Sequence, residues 1–312
     1  MQINNSVKKE KIPLIIITGF LGAGKTTLLN NILDQLQDKK TGVIINEFGE
    51  INVDAKMLDL EKEDGLVEIN NGSIFCSCRS GSFVESIASY KDMDLDYLLV
   101  ESSGMSRPKS IDSILADVAK ITDNSFDFRG MISIADASNF NKIIKTLNSA
   151  REQVAYSDLV IINKIDLVDN AELEKVESAI NSLNPSAKIL KSSYSEINID
   201  ILENEFSHKK SKDVVFEHIK SADLNKPENI LVEFEYEPEL GELNSLIKEL
   251  STYSYRIKGF VNLADKKTVL VNVTQSEVLV KDYKDKVFDD SKLIIFTQNK
   301  DQVEKIINNF FV

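Results

Sequence analysis

Positive charge, cysteine, histidine and long apolar runs are all scarce in this chain, and each scarcity narrows what the protein can do. Lysine and arginine number 37 against 50 aspartates and glutamates, a net charge of -13. That is the wrong sign for a surface that neutralises phosphate backbones, so no nucleic-acid partner is expected. The longest early apolar run, Ile12 to Ile17, contains Pro13 and falls far short of the roughly 20 residues that cross a bilayer. No signal-peptide cleavage pattern accompanies it, so the expectation is a cytoplasmic protein with no membrane partner. The two histidines, His208 and His218, lie too far apart in a polar stretch to share an ion. The two cysteines, Cys76 and Cys78, are separated by a single residue. A disulfide between them would close a tiny, strained loop, which leaves them as thiols, free or metal-bound.

What the chain has in plenty is periodic hydrophobicity. Its 312 residues, 42% hydrophobic, suit two domains at roughly 150 residues each. Short apolar runs recur at Leu14 to Thr18, Val43 to Asn46, Tyr97 to Glu101, Met131 to Asp136 and Leu159 to Asn163. Between them, apolar residues fall at helical spacing: Leu28, Leu29, Ile32, Leu33 and Leu36, then Ile111, Ile114, Leu115 and Val118, then Leu173, Val176 and Ile180. Continuous apolar strands alternating with amphipathic helices predict an α/β domain with a doubly wound, mostly parallel sheet. This domain is expected over residues 1–206, with residues 1–10 frayed. The polar, aperiodic stretch 207–229 reads as a linker. Residues 230–312 read as a smaller α+β domain, opening with a strand in which Ile230, Val232, Phe234 and Tyr236 alternate with their neighbours. No internal repeat or low-complexity tract appears.

The chemistry is concentrated at strand ends. Gly19-Phe20-Leu21-Gly22-Ala23-Gly24-Lys25-Thr26 follows the first strand and opens the first helix, the arrangement in which backbone NH groups curl round a phosphate at a helix N-terminus. Gly19, Gly22, Ala23, Gly24, Thr26 and Thr27 are the expected cradle, Lys25 the cation for the β- and γ-phosphates, and the Thr26 hydroxyl a magnesium ligand. Asn163-Lys164-Ile165-Asp166 ends another strand. There Asp166 can accept from the N1 and N2 donors of guanine, which adenine lacks, while Asn163 and the Lys164 stem hold the loop and stack on the base. GTP is therefore the expected nucleotide, with Ser192 and Ser193 as candidates for the far side of the base. Glu101 ends a third strand and is the second expected magnesium-side group, with Gly104 facing the γ-phosphate. Met105 follows that glycine where a glutamine would orient water, so intrinsic hydrolysis is expected to be slow. Asn46 to Asp54 has the position of a switch segment, and Glu50 and Asp54 within it join Lys25 and Glu101 as catalytic candidates.

These residues in this order resemble the CobW-type metallochaperone GTPases, relatives of HypB and UreG. The likeness rests on Gly19 to Thr27, Asn46 to Asp54, Asn71-Gly72, Glu101 to Pro108, Gln153 to Leu167 and, in the second domain, Arg256-Ile257-Lys258-Gly259. The resemblance implies a GTP-driven switch that delivers zinc or cobalt (Zn2+ or Co2+) to a client metalloprotein, and a second domain of the CobW C-terminal kind. The family's metal motif is Cys-x-Cys-Cys after Asn-Gly. This chain has Ser73 and Phe75 at the first two cysteine positions, keeps Cys76, and adds Cys78. Two thiolates fall short of a four-ligand site, which Glu47 or a second copy of the chain, as a homodimer, would have to complete. The alternative is a GTP-dependent activator of a partner, such as a corrinoid-related enzyme, that itself holds no transition metal.

Overall fold

Strand β1 (Ile12–Gly19) is apolar on both sides and buried along nearly its whole length. Ile15 and Ile17 pack under Leu28, Leu29 and Ile32 of α1 (Lys25–Gln35). Leu14 and Ile16 face the opposite way, into a cluster with Phe83, Val84 and Ile87 of α2 (Ser80–Ala88) and Ile111, Ile114 and Val118 of α3 (Ile111–Ile121). A strand buried on both faces belongs in the middle of a sheet, and β1 lies there, parallel to β4 (Tyr97–Glu101) on one side and to β5 (Phe126–Asp136) on the other. The computed structural model describes residues 10–47, 66–70, 80–204, 227–283 and 291–311.

Seven strands form the first sheet, in the order β3 (Leu66–Asn70), β2 (Thr41–Glu47), β4, β1, β5, β6 (Leu159–Asn163) and β7 (Lys188–Lys191), and every neighbouring pair is parallel. Helices α4 (Phe140–Thr146), α5 (Asn148–Ala155) and α6 (Asn170–Leu183) contribute Phe140, Val154, Val176 and Ile180 to a further cluster over Val160 and Ile162 of β6. A short helix, α7 (Asp200–Asn204), adds Leu202 to the α1 face. The doubly wound expectation is met, and the carboxyl ends of β1, β4 and β6 gather at one edge, where such sheets bind ligands.

The second domain is an antiparallel sheet of five strands in the order β11 (Val278–Tyr283), β10 (Thr268–Thr274), β9 (Ser254–Asn262), β12 (Lys292–Thr297) and β8 (Glu228–Glu233). One face carries Ile257, Val261, Val269, Val271 and Val273 and is covered by α8 (Leu240–Ser251) and α9 (Lys300–Phe310). By the two-residue period of a strand, Arg256, Lys258 and Phe260 of β9 and Leu270, Asn272 and Thr274 of β10 share the other face. That second face is turned toward the first domain.

Two details depart from expectation. β8 stops at Glu233, and Phe234 and Tyr236 leave the strand to pack against Phe311, with ring centroids 5.5 and 6.2 Å away. Aromatic packing on the last helix replaces the extra strand turns that their alternation suggested. The central strand β9 was not anticipated at all, because two cations and a glycine, Arg256, Lys258 and Gly259, interrupt its apolar run. Residues 1–9 of the expected frayed terminus and residues 207–226 of the expected linker lie outside the described residues. Among the described residues no helix is long and apolar enough to cross a membrane.

Candidate functional site

The phosphate loop is shaped by glycines that nothing larger could replace. Gly24 has φ 113° and is the N-cap of α1; a Cβ there would stand 2.5 Å from both Asn163 Nδ2 and Ser195 Oγ. Gly22, at φ 76°, would drive a Cβ to 2.5 Å from the Thr274 methyl of the second domain. Gly19 lies lower, where a Cβ would meet the Ile134 carbonyl oxygen at 2.6 Å. No side chain caps the first turn of α1, which leaves its leading NH groups for an anion. Lys25 is buried, and its Nζ donates to the Phe20 carbonyl at 3.4 Å. The Thr26 hydroxyl donates to Glu101 Oε1 at 3.1 Å, so the helix start and the end of β4 present a hydroxyl and a buried carboxylate side by side.

Asn163 joins the two halves of the site. Its Nδ2 donates to the Ala23 carbonyl at 2.8 Å and to Ser195 Oγ at 2.8 Å, while its Oδ1 accepts from the Ser195 amide at 2.8 Å. Ser195 Oγ in turn donates to the Gly24 carbonyl at 3.1 Å. One buried amide thereby sets the distance between the phosphate loop and the loop that follows β6. Lys164, in the left-handed region at φ 61°, sends its Nζ to Asp136 Oδ2 at 3.0 Å and to Ser276 Oγ at 2.6 Å. Ser276 Oγ also donates to Asp136 Oδ2 at 3.1 Å.

A cavity of about 420 Å3 lies between these groups, within the range of small-molecule sites. Its walls are Gly22, Gly24, Lys25, Thr26 and Thr27, then Asn163, Lys164, Asp166 and Leu167, then Tyr194 and Ser195. The roof is the second domain, through Arg256, Asn272, Thr274, Ser276 and Glu277. Asp166 is exposed at the mouth, free of the ion pair that fixes Lys164.

Most of the anticipated phosphate and base residues thus come together, and three details change. Ser192 is buried and its hydroxyl donates to the Glu196 carbonyl at 2.8 Å, so the wall opposite Asp166 is built from Tyr194 and Ser195, both at positive φ. Gly104 lies against Leu21, and its carbonyl is held by Gln153 Nε2 at 3.2 Å, which also donates to the Ser106 carbonyl at 3.0 Å. Met105 packs into an apolar cluster with Phe20, Ile143, Leu147 and Ala150. Glu47 ends β2 opposite Asn70; Glu50, Asp54, Cys76 and Cys78 lie outside the described residues, as do His208 and His218. Among the described residues no three His, Cys, Asp or Glu side chains converge as an ion site would require.

The residues that sequence reasoning missed are those reaching the cavity from far along the chain. Asp136, Asn272, Thr274 and Ser276 belong to no motif. Arg256 and Lys258 were noticed, yet not as site residues; their two-residue spacing around Ile257 was the available signal that both leave the core on one face. Lys258 is 1% exposed. Burial, and then the nearby positive charge of Lys25, push its ammonium down from 10.5 to about 7.

The sequence also matches known proteins. Residues 13–191 match the model of the CobW/HypB/UreG nucleotide-binding domain. A zinc-regulated GTPase metalloprotein activator of Dictyostelium discoideum is 31% identical, over 60% of this chain and 47% of its own. The zinc chaperone YjiA of Escherichia coli is 28% identical over 77% of both chains. The zinc chaperone CobW of Pseudomonas aeruginosa is 31% identical over 62% of this chain and 59% of its own. The chain therefore spans between about half and three quarters of the length of these relatives. A crystal structure of Zn(II)-bound YjiA GTPase from E. coli superposes with a TM-score of 0.49 at 22% identity, over 97% of this chain and 98% of that one. With a family model covering more than half its length, the chain belongs to the CobW/HypB/UreG family.

Proposed function

We propose that the chain binds magnesium GTP in this cavity, hydrolyses it, and uses the cycle to hand a transition metal to a client protein. The observation that carries the nucleotide half is the Asn163 bridge, which ties the Gly19–Thr26 loop to the loop that follows β6. Lys25 and the uncapped start of α1 offer positive charge to the phosphates. The Thr26 hydroxyl and the Glu101 carboxylate are hard oxygen donors that suit a magnesium ion, which would neutralise charge on the transferring phosphoryl group. The segment after Glu101 is braced by the Gln153 amide and by a hydroxyl contact of 3.0 Å between Ser102 and Ser106, so Gly104 can register the γ-phosphate without being rebuilt. No side chain at Met105 can orient water, and turnover without a partner is expected to be slow.

Base choice has a direct test. Asp166→Asn converts one acceptor oxygen into a donor that faces the guanine amino group. With a charge-assisted hydrogen bond worth about 1.5–3 kcal/mol, the preference for GTP over ATP should fall by about 10- to 100-fold in competition binding. Undiminished preference would remove the guanine assignment.

The metal half rests on the relatives named as zinc chaperones and on Cys76 and Cys78, with Glu47 or a second subunit completing the ligand set. Zinc and cobalt titrations of the reduced protein, with and without a non-hydrolysable GTP analogue, are expected to show one tight site that Cys76→Ser abolishes. Binding that ignores this substitution would favour the second reading, suggested by the altered cysteine motif, of an activator that holds no metal itself.

A further inference from the structure

Ligand cavities combine a few placed polar groups with apolar surface that the ligand covers. In this cavity the apolar share includes Tyr194 and Leu167, which are 71% and 54% exposed. Leu167 ends the short turn Ile165–Leu167. Its neighbours Ile165 and Val168 pack against the cluster over β6, whereas Leu167 stays outside that cluster, beside Asp166 on the cavity wall. Tyr194 is placed under more constraint. Its carbonyl accepts from Asn31 Nδ2 of α1 at 3.0 Å, and the amide of Ser195 donates to Asn163 Oδ1 at 2.8 Å. Both residues stand in the left-handed region, Tyr194 at φ 55° and Ser195 at φ 57°, a conformation that a residue with a Cβ adopts at a cost. Among the described residues the ring and hydroxyl of Tyr194 have no hydrogen-bonding or ring partner to offset that cost. The pinned backbone therefore holds an aromatic ring at the cavity without using it to pack the fold.

We propose that Tyr194 is a stacking platform for the nucleobase, taking the face of the ring while Asp166 reads its edge and Leu167 covers apolar surface beside it. The proposal rests on the GTP reading above and adds a group that binds the base without identifying it. Every base has a π face, so stacking strengthens the binding of guanine and adenine alike. Asp166, by contrast, meets N1 and N2 donors that only guanine carries. Affinity for the base and selectivity for it thus belong to different walls of the cavity, and substitution should separate them.

Calorimetric titrations of the full-length protein with GTP, GMP, ATP and inorganic tripolyphosphate, in wild type, Tyr194→Ala and Tyr194→Phe, test this. Tyr194→Ala is expected to weaken all three nucleotides by one common factor, about 5- to 100-fold for the loss of a base–aromatic stack, with the preference for GTP over ATP kept and tripolyphosphate unaffected. Tyr194→Phe, which keeps the ring, should bind all four as wild type does. The chain has no tryptophan, so Tyr194→Trp supplies a single emitter at the site, expected to be quenched by GTP and GMP and not by tripolyphosphate. Wild-type affinity in Tyr194→Ala, or tryptophan emission indifferent to saturating GTP, would overturn the platform and leave the GTP reading standing. So would an equal loss for tripolyphosphate, the mark of a deformed loop, or a Phe variant as weak as the Ala variant. A wild type that does not prefer GTP over ATP would overturn the guanine reading instead, with the platform still decided by the common loss in Tyr194→Ala.

Discussion

Lys25→Ala is expected to lower GTP turnover by about 10^3-fold or more, with the fold intact. The ammonium is the one cation of the phosphate loop itself, and losing a preorganised charge at a phosphoryl-transfer centre costs on the order of two to five decades in rate. The helix itself loses little, because alanine is well tolerated at the first turn of a helix. The circular-dichroism melting curve should therefore shift little while phosphate release falls to background. Retained turnover would overturn the assignment of Gly19 to Thr26 as the phosphate loop.

Lys258→Met should have the opposite profile, stabilising the nucleotide-free chain in a pH-dependent way. The folded ammonium titrates near 7 against 10.5 for a solvated lysine. Between those values the unfolded chain holds a proton that the folded chain does not, so wild-type stability rises with pH across that window. Below about pH 7 both states are charged and the full penalty of burial is felt. At about 1.36 kcal/mol per pH unit of displacement, the penalty is roughly 4–5 kcal/mol. Methionine keeps the apolar stem and has no charge to bury. The melting temperature of the variant should exceed that of wild type by roughly 5–10 °C at pH 6.5, and the difference should shrink toward zero by about pH 10. A gap that stays constant with pH would trace the effect to packing alone.

How much of this could be read beforehand depends on how local each signal is. The phosphate loop is contiguous from Gly19 to Thr26, and the Gly, Lys and Thr that define it also determine its backbone, so its chemistry could be assigned from eight adjacent letters. The parallel sheet was legible for a similar reason: strands buried on both faces read as uninterrupted apolar runs. β3 escaped because Glu68 breaks its short run, Leu66–Asn70. β9 escaped because its inner face is charged, and the periodicity that marks a strand assumes that inward positions are apolar. The hydroxyl of Ser276 was invisible for a different reason. It meets Lys164 and Asp136 across 112 and 140 residues of chain, and a serine in a hairpin turn announces only the turn. Tyr194 and Ser195 were missed by two residues because their positive φ values carry the chain past the position where Ser192 would have pointed.

The contact between Ser276 and the pair Lys164–Asp136 bears on how the protein can be taken apart. A fragment ending before β8 would retain every letter of both nucleotide motifs, and by motif alone it would count as a complete catalytic module. It would nevertheless lack the hydroxyl that steadies the left-handed lysine of the base loop, the methyl that closes on Gly22 and the entire roof of the cavity. Such a truncation should lose selectivity for the base. The cavity walls come from both domains, so a boundary drawn by motif alone would cut through the cavity.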